Sequence, residues 1–322
     1  LLLLAKLRVP LHLIKRQIDV LPDKIREAAM TDLRVGFIGL GTMGGAMCGH
    51  LIAGGVPTAV WAREQSKAEA LIRSGADWAD SPCALAESCD VVMLCVSNDD
   101  AVGEVVFGAD GIASAVSGAR ILVDHSSIHP MTTWEWAREL HAKSGTGWID
   151  APVSGGPGGA ERGELIVIAG GDIGDFEAVK PLLSRYAKQI TLMGPAGAGQ
   201  ATKACNQLII GAEICAIAEA LNFAKNFGMD AHTLADALKG GWADSPVLQD
   251  HGRRMANADY SDLADASMMM KDMTIAQDMG NRTNSPMPMT DLVTSLFQKA
   301  IDEGHLDGGQ IAPMRLYSSD PL

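Results

Sequence analysis

From Arg34 onward, short apolar runs alternate with segments of helical length. Residues 34–40 (RVGFIGL) form a continuous apolar run ending in glycine, the pattern of a strand buried on both faces of a parallel sheet. Further strands are predicted at 58–61, 90–96, 121–124, 164–169 and 189–192, with 148–150 leading into another. Helices are predicted between them: 46–53 closed by Gly54-Gly55, 65–74 ending at Gly75, 131–144 after Pro130, and 175–186. Strands separated by helices of this length imply right-handed crossovers and a mostly parallel, doubly wound sheet.

The pattern changes after Gly194. Residues 201–226 contain no proline and one glycine, and Ala, Leu, Ile and Glu recur throughout. This predicts one long helix, apolar nearly all round and therefore buried. Helices follow at 232–239, 267–278 and 289–303, and no strand is evident. The boundary is expected at 194–199 (GPAGAG), between an α/β N-terminal domain (30–194) and an all-α C-terminal domain (195–322).

Charge separates one more segment. The chain carries −13 overall, yet residues 1–29 hold six basic and three acidic residues, a net of +3, which leaves −16 on the rest. That segment opens on leucines, lacks a small-residue cleavage pattern, and precedes Met30; it reads as a disordered or non-native extension. The acidic remainder repels a polyanion such as DNA, while a small carboxylate can still enter a locally positive pocket. No run of about 18 uncharged apolar residues appears, so no membrane span is expected and the protein is placed in the cytoplasm. Cys48, Cys83, Cys89, Cys95, Cys205 and Cys215 lie in apolar runs without zinc-site spacing, and read as reduced core thiols. His125 and His129 flank a turn and read as non-ligands, and no metal is expected.

Three stretches carry candidate chemistry. Gly39-Leu40-Gly41-Thr42-Met43-Gly44 fits G-x-G-x-x-G, directly after an apolar strand and at the start of a helix. Its glycines allow a tight turn, backbone approach to a pyrophosphate and helix–strand packing, and the helix N-terminus faces the phosphates. A Rossmann-type domain binding NAD or NADP follows. At the end of the second strand, Arg63 with Lys67 favours the 2′-phosphate of NADP, whereas Glu64 suits the ribose hydroxyls of NAD; surface charge alone is the plainer alternative. Asp150-Ala151-Pro152-Val153-Ser154-Gly155-Gly156 follows a strand and offers a hydroxyl and unhindered N–H groups to an anion, or is an ordinary glycine loop. Lys203 is expected in the first turn of the long helix with Asn206 and Gln207 on its face; desolvation and the helix dipole would lower its pKa toward that of a proton donor and acceptor. A lysine merely reaching solvent fits the same residues, and Lys271-Asp272, after Met268, Met269 and Met270, is open in the same way.

In order, GLGTMG at Gly39, DAPVSGG at Asp150, GQATKACNQ at Gly199 and MKDM at Met270 resemble the β-hydroxyacid dehydrogenase family over residues 34–312. Within it, KACNQLIIGAEICAIAEAL and GGWADSPVLQDHGRRM are most similar to the members that reduce 2-hydroxy-3-oxopropionate (tartronate semialdehyde). The resemblance implies an oxidoreductase acting on CH–OH groups, and assembly as a homodimer or homotetramer. It implies that Lys203 is the general acid/base, and that Ser154, Gly155, Gly156 and Asn206 bind substrate. Gly39, Leu40, Gly41, Thr42, Met43, Gly44, Arg63, Val96, Ser97, Ser127 and Lys271 would bind cofactor. The alternatives are an NAD-dependent 3-hydroxyisobutyrate-type dehydrogenase and a non-catalytic NADP-binding reader module. Ala62 replaces a frequent asparagine and Ser97 a usual proline, which removes one adenosine-side contact and leaves that loop less rigid.

Overall fold

The computed structural model describes residues 33–261 and 265–317; the basic extension lies outside them. The chain forms two compact units that divide between Thr202 and Lys203, inside the long helix and beyond the 194–199 stretch.

The first unit alternates strands and helices: β1 (Val35–Ile38), α1 (Thr42–Ala53), β2 (Thr58–Trp61), α2 (Glu69–Arg73), β3 (Asp77–Trp78), α3 (Pro82–Ser88), β4 (Val91–Leu94) and α4 (Asp99–Phe107). β5 (Ile121–Asp124), α5 (Pro130–Ser144), β6 (Gly147–Asp150), β7 (Val153–Ser154), α6 (Gly156–Arg162), β8 (Leu165–Gly170), α7 (Ile173–Leu183) and β9 (Ala187–Gly194) follow. The sheet runs β3-β2-β1-β4-β5-β6-β8-β7, with β9 also paired to β8. Strands β1 to β6 pair in parallel with one another; β8 pairs antiparallel with β6 and β7 and parallel with β9. The doubly wound sheet expected from the pattern is therefore present, with an antiparallel joint at β8.

Period-two alternation sorts the strand residues into two cores. Val35, Phe37, Val91, Met93, Ile121 and Val123 face one side, against Met47 and Leu51 of α1 and Phe176 and Val179 of α7. Ile38, Val92, Leu94 and Leu122 face the other, against Leu85 of α3, Val102 and Val106 of α4 and Leu140 of α5. Four elements escaped the hydrophobic pattern because each is short: β3, α3, α4 and α6. The starts of α3 and α4 are marked by polar caps instead: Ser81 Oγ accepts from Ala84 N–H and Asn98 Oδ1 from Ala101 N–H.

The second unit is helical among its described residues. The long helix α8 (Ala198–Asn226) leads to α9 (Leu234–Leu238), α10 (Arg253–Ala256), α11 (Ser267–Arg282) and α12 (Pro288–Asp302). A single π-turn, Leu248–Gly252, precedes α10, and a 3₁₀ stretch, Leu306–Tyr317, follows α12. Ile214, Ala218 and Leu221 of α8 form the core with Met269 and Met273 of α11 and Val293 and Phe297 of α12. The expectation of a wholly buried α8 needs correction: Ile209 and Phe223 stand exposed. By length and composition alone α8 would also pass for a membrane span. It carries Lys203, Glu213, Glu219 and Lys225, however, and its buried face is the core of the unit.

Candidate functional site

The turn between β1 and α1 is built by backbone geometry. Gly39 has φ +89°, and a Cβ there would collide with the Cys95 carbonyl. A Cβ on Gly44 would collide with the Gly39 carbonyl, so this glycine lets the helix lie against the strand end. Gly41 differs, because its φ is −74° and an added Cβ would meet nothing within 4 Å. Internal packing does not require a glycine there; close approach of a ligand to the backbone does. Gly41 is also the N-cap of α1, and among the described residues no side chain caps this helix start. Those groups and the positive end of the helix dipole suit a phosphate. Leu40 and Met43 rest partly against the sheet core, and Thr42 is exposed. The cradle fits the pyrophosphate of a nicotinamide dinucleotide.

β2 lies on one side of β1 and β4 on the other, so the sheet reverses its winding at this turn, where open α/β sheets bind ligands. Toward β2, Arg63 is exposed two residues beyond Trp61, and Lys67 Nζ pairs with Glu64 Oε1 at 3.2 Å. Toward β4 and β5, successive loops lie side by side. Cys95 N–H donates to Ile38 O at 2.9 Å, His125 N–H to Leu94 O at 2.7 Å, and Val96 N–H to Ser126 Oγ at 2.9 Å. Val96 and Ser127 are half-buried along this edge, and Ser97 is exposed. The structure thus gathers Gly39 to Gly44, Val96, Ser97 and Ser127 on one end of the sheet.

Two carboxylates lie beneath these loops, Asp124 ending β5 and Asp150 ending β6, partners in register and both buried. Asp150 sits in a slot lined by glycine: an added Cβ at Gly170 or Gly199 would come 2.7 or 2.8 Å from its carboxylate. It accepts from Gly197 N–H at 2.8 Å and from Gln200 N–H at 2.9 Å, which caps the start of α8. Burial pushes its pKa up, and these backbone bonds oppose the rise. Asp124 accepts from Ser126 N–H at 2.9 Å, but its Oδ2 has no hydrogen-bond partner among the described residues. Burial pushes the Asp124 carboxyl up to about 7. His125, the next residue, is bonded on both ring nitrogens. A carbonyl can only accept, so Nδ1 donates to Ala151 O at 2.7 Å and Nε2 accepts from the Tyr186 hydroxyl at 2.8 Å. Burial holds its pKa down at about 4, so the ring is neutral at ordinary pH.

Ser154 ends β7, paired with Ile166 of β8, and is half-buried. Gly155 and Gly156 follow at φ +123° and +60° and are exposed. Only glycine adopts two such conformations in succession without strain, and α6 starts from them.

In the second unit, side chains from α8 and α11 converge. Asn206 Nδ2 donates to Gln207 Oε1 at 2.9 Å, Gln207 Nε2 donates to Asp272 Oδ2 at 2.7 Å, and Lys271 Nζ lies 3.7 Å from Asp272 Oδ1. Lys203 has its pKa lowered chiefly by burial; Asp272 acts to raise it and Lys271 to lower it further. One part of the sequence-based account changes here. α8 begins at Ala198, so Lys203 lies beyond the first turn, where the dipole is weak, and desolvation is the cause that remains. The cysteine reading also narrows, because Cys205 is exposed whereas Cys48, Cys89 and Cys215 are buried.

Sequence reasoning passed over Gln200 and Asp124, and placed Asp150 in a motif without giving it a task. The partners of Gln200 and Asp150 lie in loops after other strands, at sequence separations up to 74 residues, and Asp124 is set apart by its burial.

Comparison with known proteins agrees with this arrangement. Residues 34–194 match the family model for the NAD-binding domain of 6-phosphogluconate dehydrogenase, and residues 197–317 that for the NAD-binding of NADP-dependent 3-hydroxyisobutyrate dehydrogenase. The chain is 35% identical to the 2-hydroxy-3-oxopropionate reductase of Escherichia coli (strain K12), over 84% of this chain and 92% of that protein. It is 36% identical to a probable 3-hydroxyisobutyrate dehydrogenase-like protein of Arabidopsis thaliana, over 84% of this chain and 89% of that one. Among solved structures, 3-hydroxyisobutyrate dehydrogenase from Salmonella typhimurium superposes with a TM-score of 0.80 at 26% identity, covering 88% of this chain and 100% of its own. The glycine turn on its doubly wound sheet, the helical second unit and these matches together make the chain a member of the β-hydroxyacid dehydrogenase family, NAD(P)-dependent oxidoreductases acting on CH–OH groups.

Proposed function

We propose that this protein reduces a short 3-oxo acid of the 2-hydroxy-3-oxopropionate type with NADPH, Lys203 acting as general acid. The observation that carries the reading is Lys203 itself, a half-buried lysine whose pKa is lowered by desolvation, beside the Asn206–Gln207–Asp272 chain. Bound NAD(P)H supplies the hydride. As charge develops on the substrate carbonyl oxygen, the Lys203 ammonium donates a proton to it, and before transfer its charge stabilises that oxygen. Burial weakens the hold of Lys203 on its proton, which favours donation. In the reverse direction the neutral amine takes the hydroxyl proton.

Ser154 and the N–H groups of Gly155 and Gly156 bind the substrate carboxylate, and Asn206 orients its oxygen. Val96, Ser97, Ser127 and Lys271 border the nicotinamide half of the cofactor, and Arg63 binds the 2′-phosphate. The preference for NADP is supported by Arg63 at the end of β2 and by the NADP-dependent family model matched by residues 197–317. Residues 30–194 serve as the cofactor domain and 195–322 as the substrate and dimerisation domain. The exposed Ile209, Phe223 and Phe227, at 55%, 64% and 73%, support a homodimer or homotetramer that covers them. The working compartment is the cytoplasm, with neither nucleic acid nor membrane as partner.

A second reading is favoured by the likeness to the Salmonella enzyme: oxidation of a 3-hydroxyisobutyrate-type acid with NAD. Initial rates with tartronate semialdehyde and NADPH, set against 3-hydroxyisobutyrate and NAD, separate the two. We expect kcat/KM at least about tenfold higher for the first pair; the opposite order overturns the assignment.

A further inference from the structure

The loop that follows β5 is held by side chains rather than by a strand ladder. At its start Ser126 N–H donates to Asp124 Oδ1, and at its end His129 N–H donates to Asp99 Oδ2 at 3.0 Å. Between them stands Gln200, 2% exposed, in the first turn of α8. Its Nε2 donates to Ser126 O at 2.6 Å, and its Oε1 accepts from Ile128 N–H at 3.3 Å. One carboxamide thus pairs with the residues immediately before and after Ser127, much as a neighbouring strand would. Gln200 is fixed in turn, because its own N–H donates to Asp150 Oδ2 while Gly197 N–H donates to Oδ1. All of these groups belong to the first unit.

We infer that Gln200 is a positioning residue for the nicotinamide half of the cofactor: it brackets Ser127 and, held by Asp150, sets where the loop after β5 meets the bound ring. The inference rests on the reading that Ser127 borders the nicotinamide. A helix start and a filled space would be met equally well by methionine. Only a primary amide of this length, a donor and an acceptor on one planar group, spans a single residue of loop in this way. Loss of the amide leaves Ser126 O and Ile128 N–H buried without these partners, so the loop shifts to recover them. The adenosine half, bound by the glycine turn and the β2 edge, does not depend on this bracket.

The test compares two ligands on the intact protein by calorimetry: NADPH, and 2′-phospho-ADP-ribose, which lacks the nicotinamide. Should the wild type bind the unphosphorylated pair more tightly, NADH and ADP-ribose replace them. Gln200→Met is expected to weaken NADPH about tenfold and to leave the fragment within about twofold. Gln200→Asn keeps the amide but is one methylene short, and should behave like the methionine variant. Equal weakening of both ligands would show damage to the whole domain and overturn the inference, as would full NADPH affinity in either variant. Ser127→Ala separates the inference from its premise. If it alters NADPH affinity relative to the fragment while the Gln200 variants do not, only the bracket falls. If it leaves that ratio untouched, the placement of Ser127 falls and the inference with it.

Discussion

In the first unit the cofactor cradle is made of backbone: two glycines whose Cβ atoms would strike neighbouring carbonyls, a third that faces open space, and N–H groups at a helix start. In the second unit the candidate chemistry is made of side chains, with Lys203, Asn206 and Gln207 on one helix and Lys271 and Asp272 on another. The difference follows from the task. A pyrophosphate is recognised by rigid dipoles that cost no reorganisation, whereas proton transfer needs an ionisable group whose pKa is tuned by burial. Backbone cradles fail when a Cβ is added, and side-chain clusters fail when one functional group is removed.

The sharpest way to separate the two is Lys203→Ala. It is expected to lower kcat by about 10²–10⁴-fold while leaving NADPH affinity within about twofold. Steady-state rates and calorimetric titration provide the check, and undiminished turnover would remove Lys203 from the mechanism. Next in size, the glycine turn should split into fold and function. Gly39→Ala places a side chain at φ +89° against Cys95 O and should destabilise the protein by about 2 kcal/mol or more, read by denaturant unfolding. Gly41→Ala meets no neighbour, so unfolding should change by no more than about 0.5 kcal/mol. Its NADPH affinity should nonetheless drop at least about tenfold if the pyrophosphate crosses that Cα closely. A Gly41→Ala protein that binds NADPH normally would show that the turn is structural only.

The smallest effect concerns the buried carboxyl of Asp124. Its pKa is raised from 3.8 to about 7, so its contribution to stability is full below pH 3.8 and is lost as pH rises through 7. His125 beside it is lowered from 6.5 to about 4, so its contribution is full above pH 6.5 and is lost as pH falls through 4. The two slopes oppose each other over one window. Asp124→Asn keeps the acceptor for Ser126 N–H and removes the first slope. Stability of the variant should then fall on acidification from pH 6.5 to 4, by on the order of 1 kcal/mol more than in the wild type. Parallel pH profiles of unfolding midpoints would refute this reading of Asp124.

Sequence and tertiary structure divided the problem along the same line. The glycine turn, the alternation of strand and helix, and the change of texture after Gly194 are local patterns. Each follows from steric or periodic rules acting over a few residues, so each was legible without coordinates. Resemblance supplied the roles of Ser154, Lys203, Asn206 and Lys271, which their neighbours in sequence leave open. What only the folded chain decided is how buried polar groups are satisfied. Asp150 caps a helix that begins 48 residues later, Gln200 brackets Ser127 across the sheet end, and Asp272 meets Gln207 from another helix. It also decided that burial rather than the helix dipole lowers the pKa of Lys203. Hydrogen bonding and desolvation depend on which groups the topology brings within about 3 Å, and no local pattern encodes that distance.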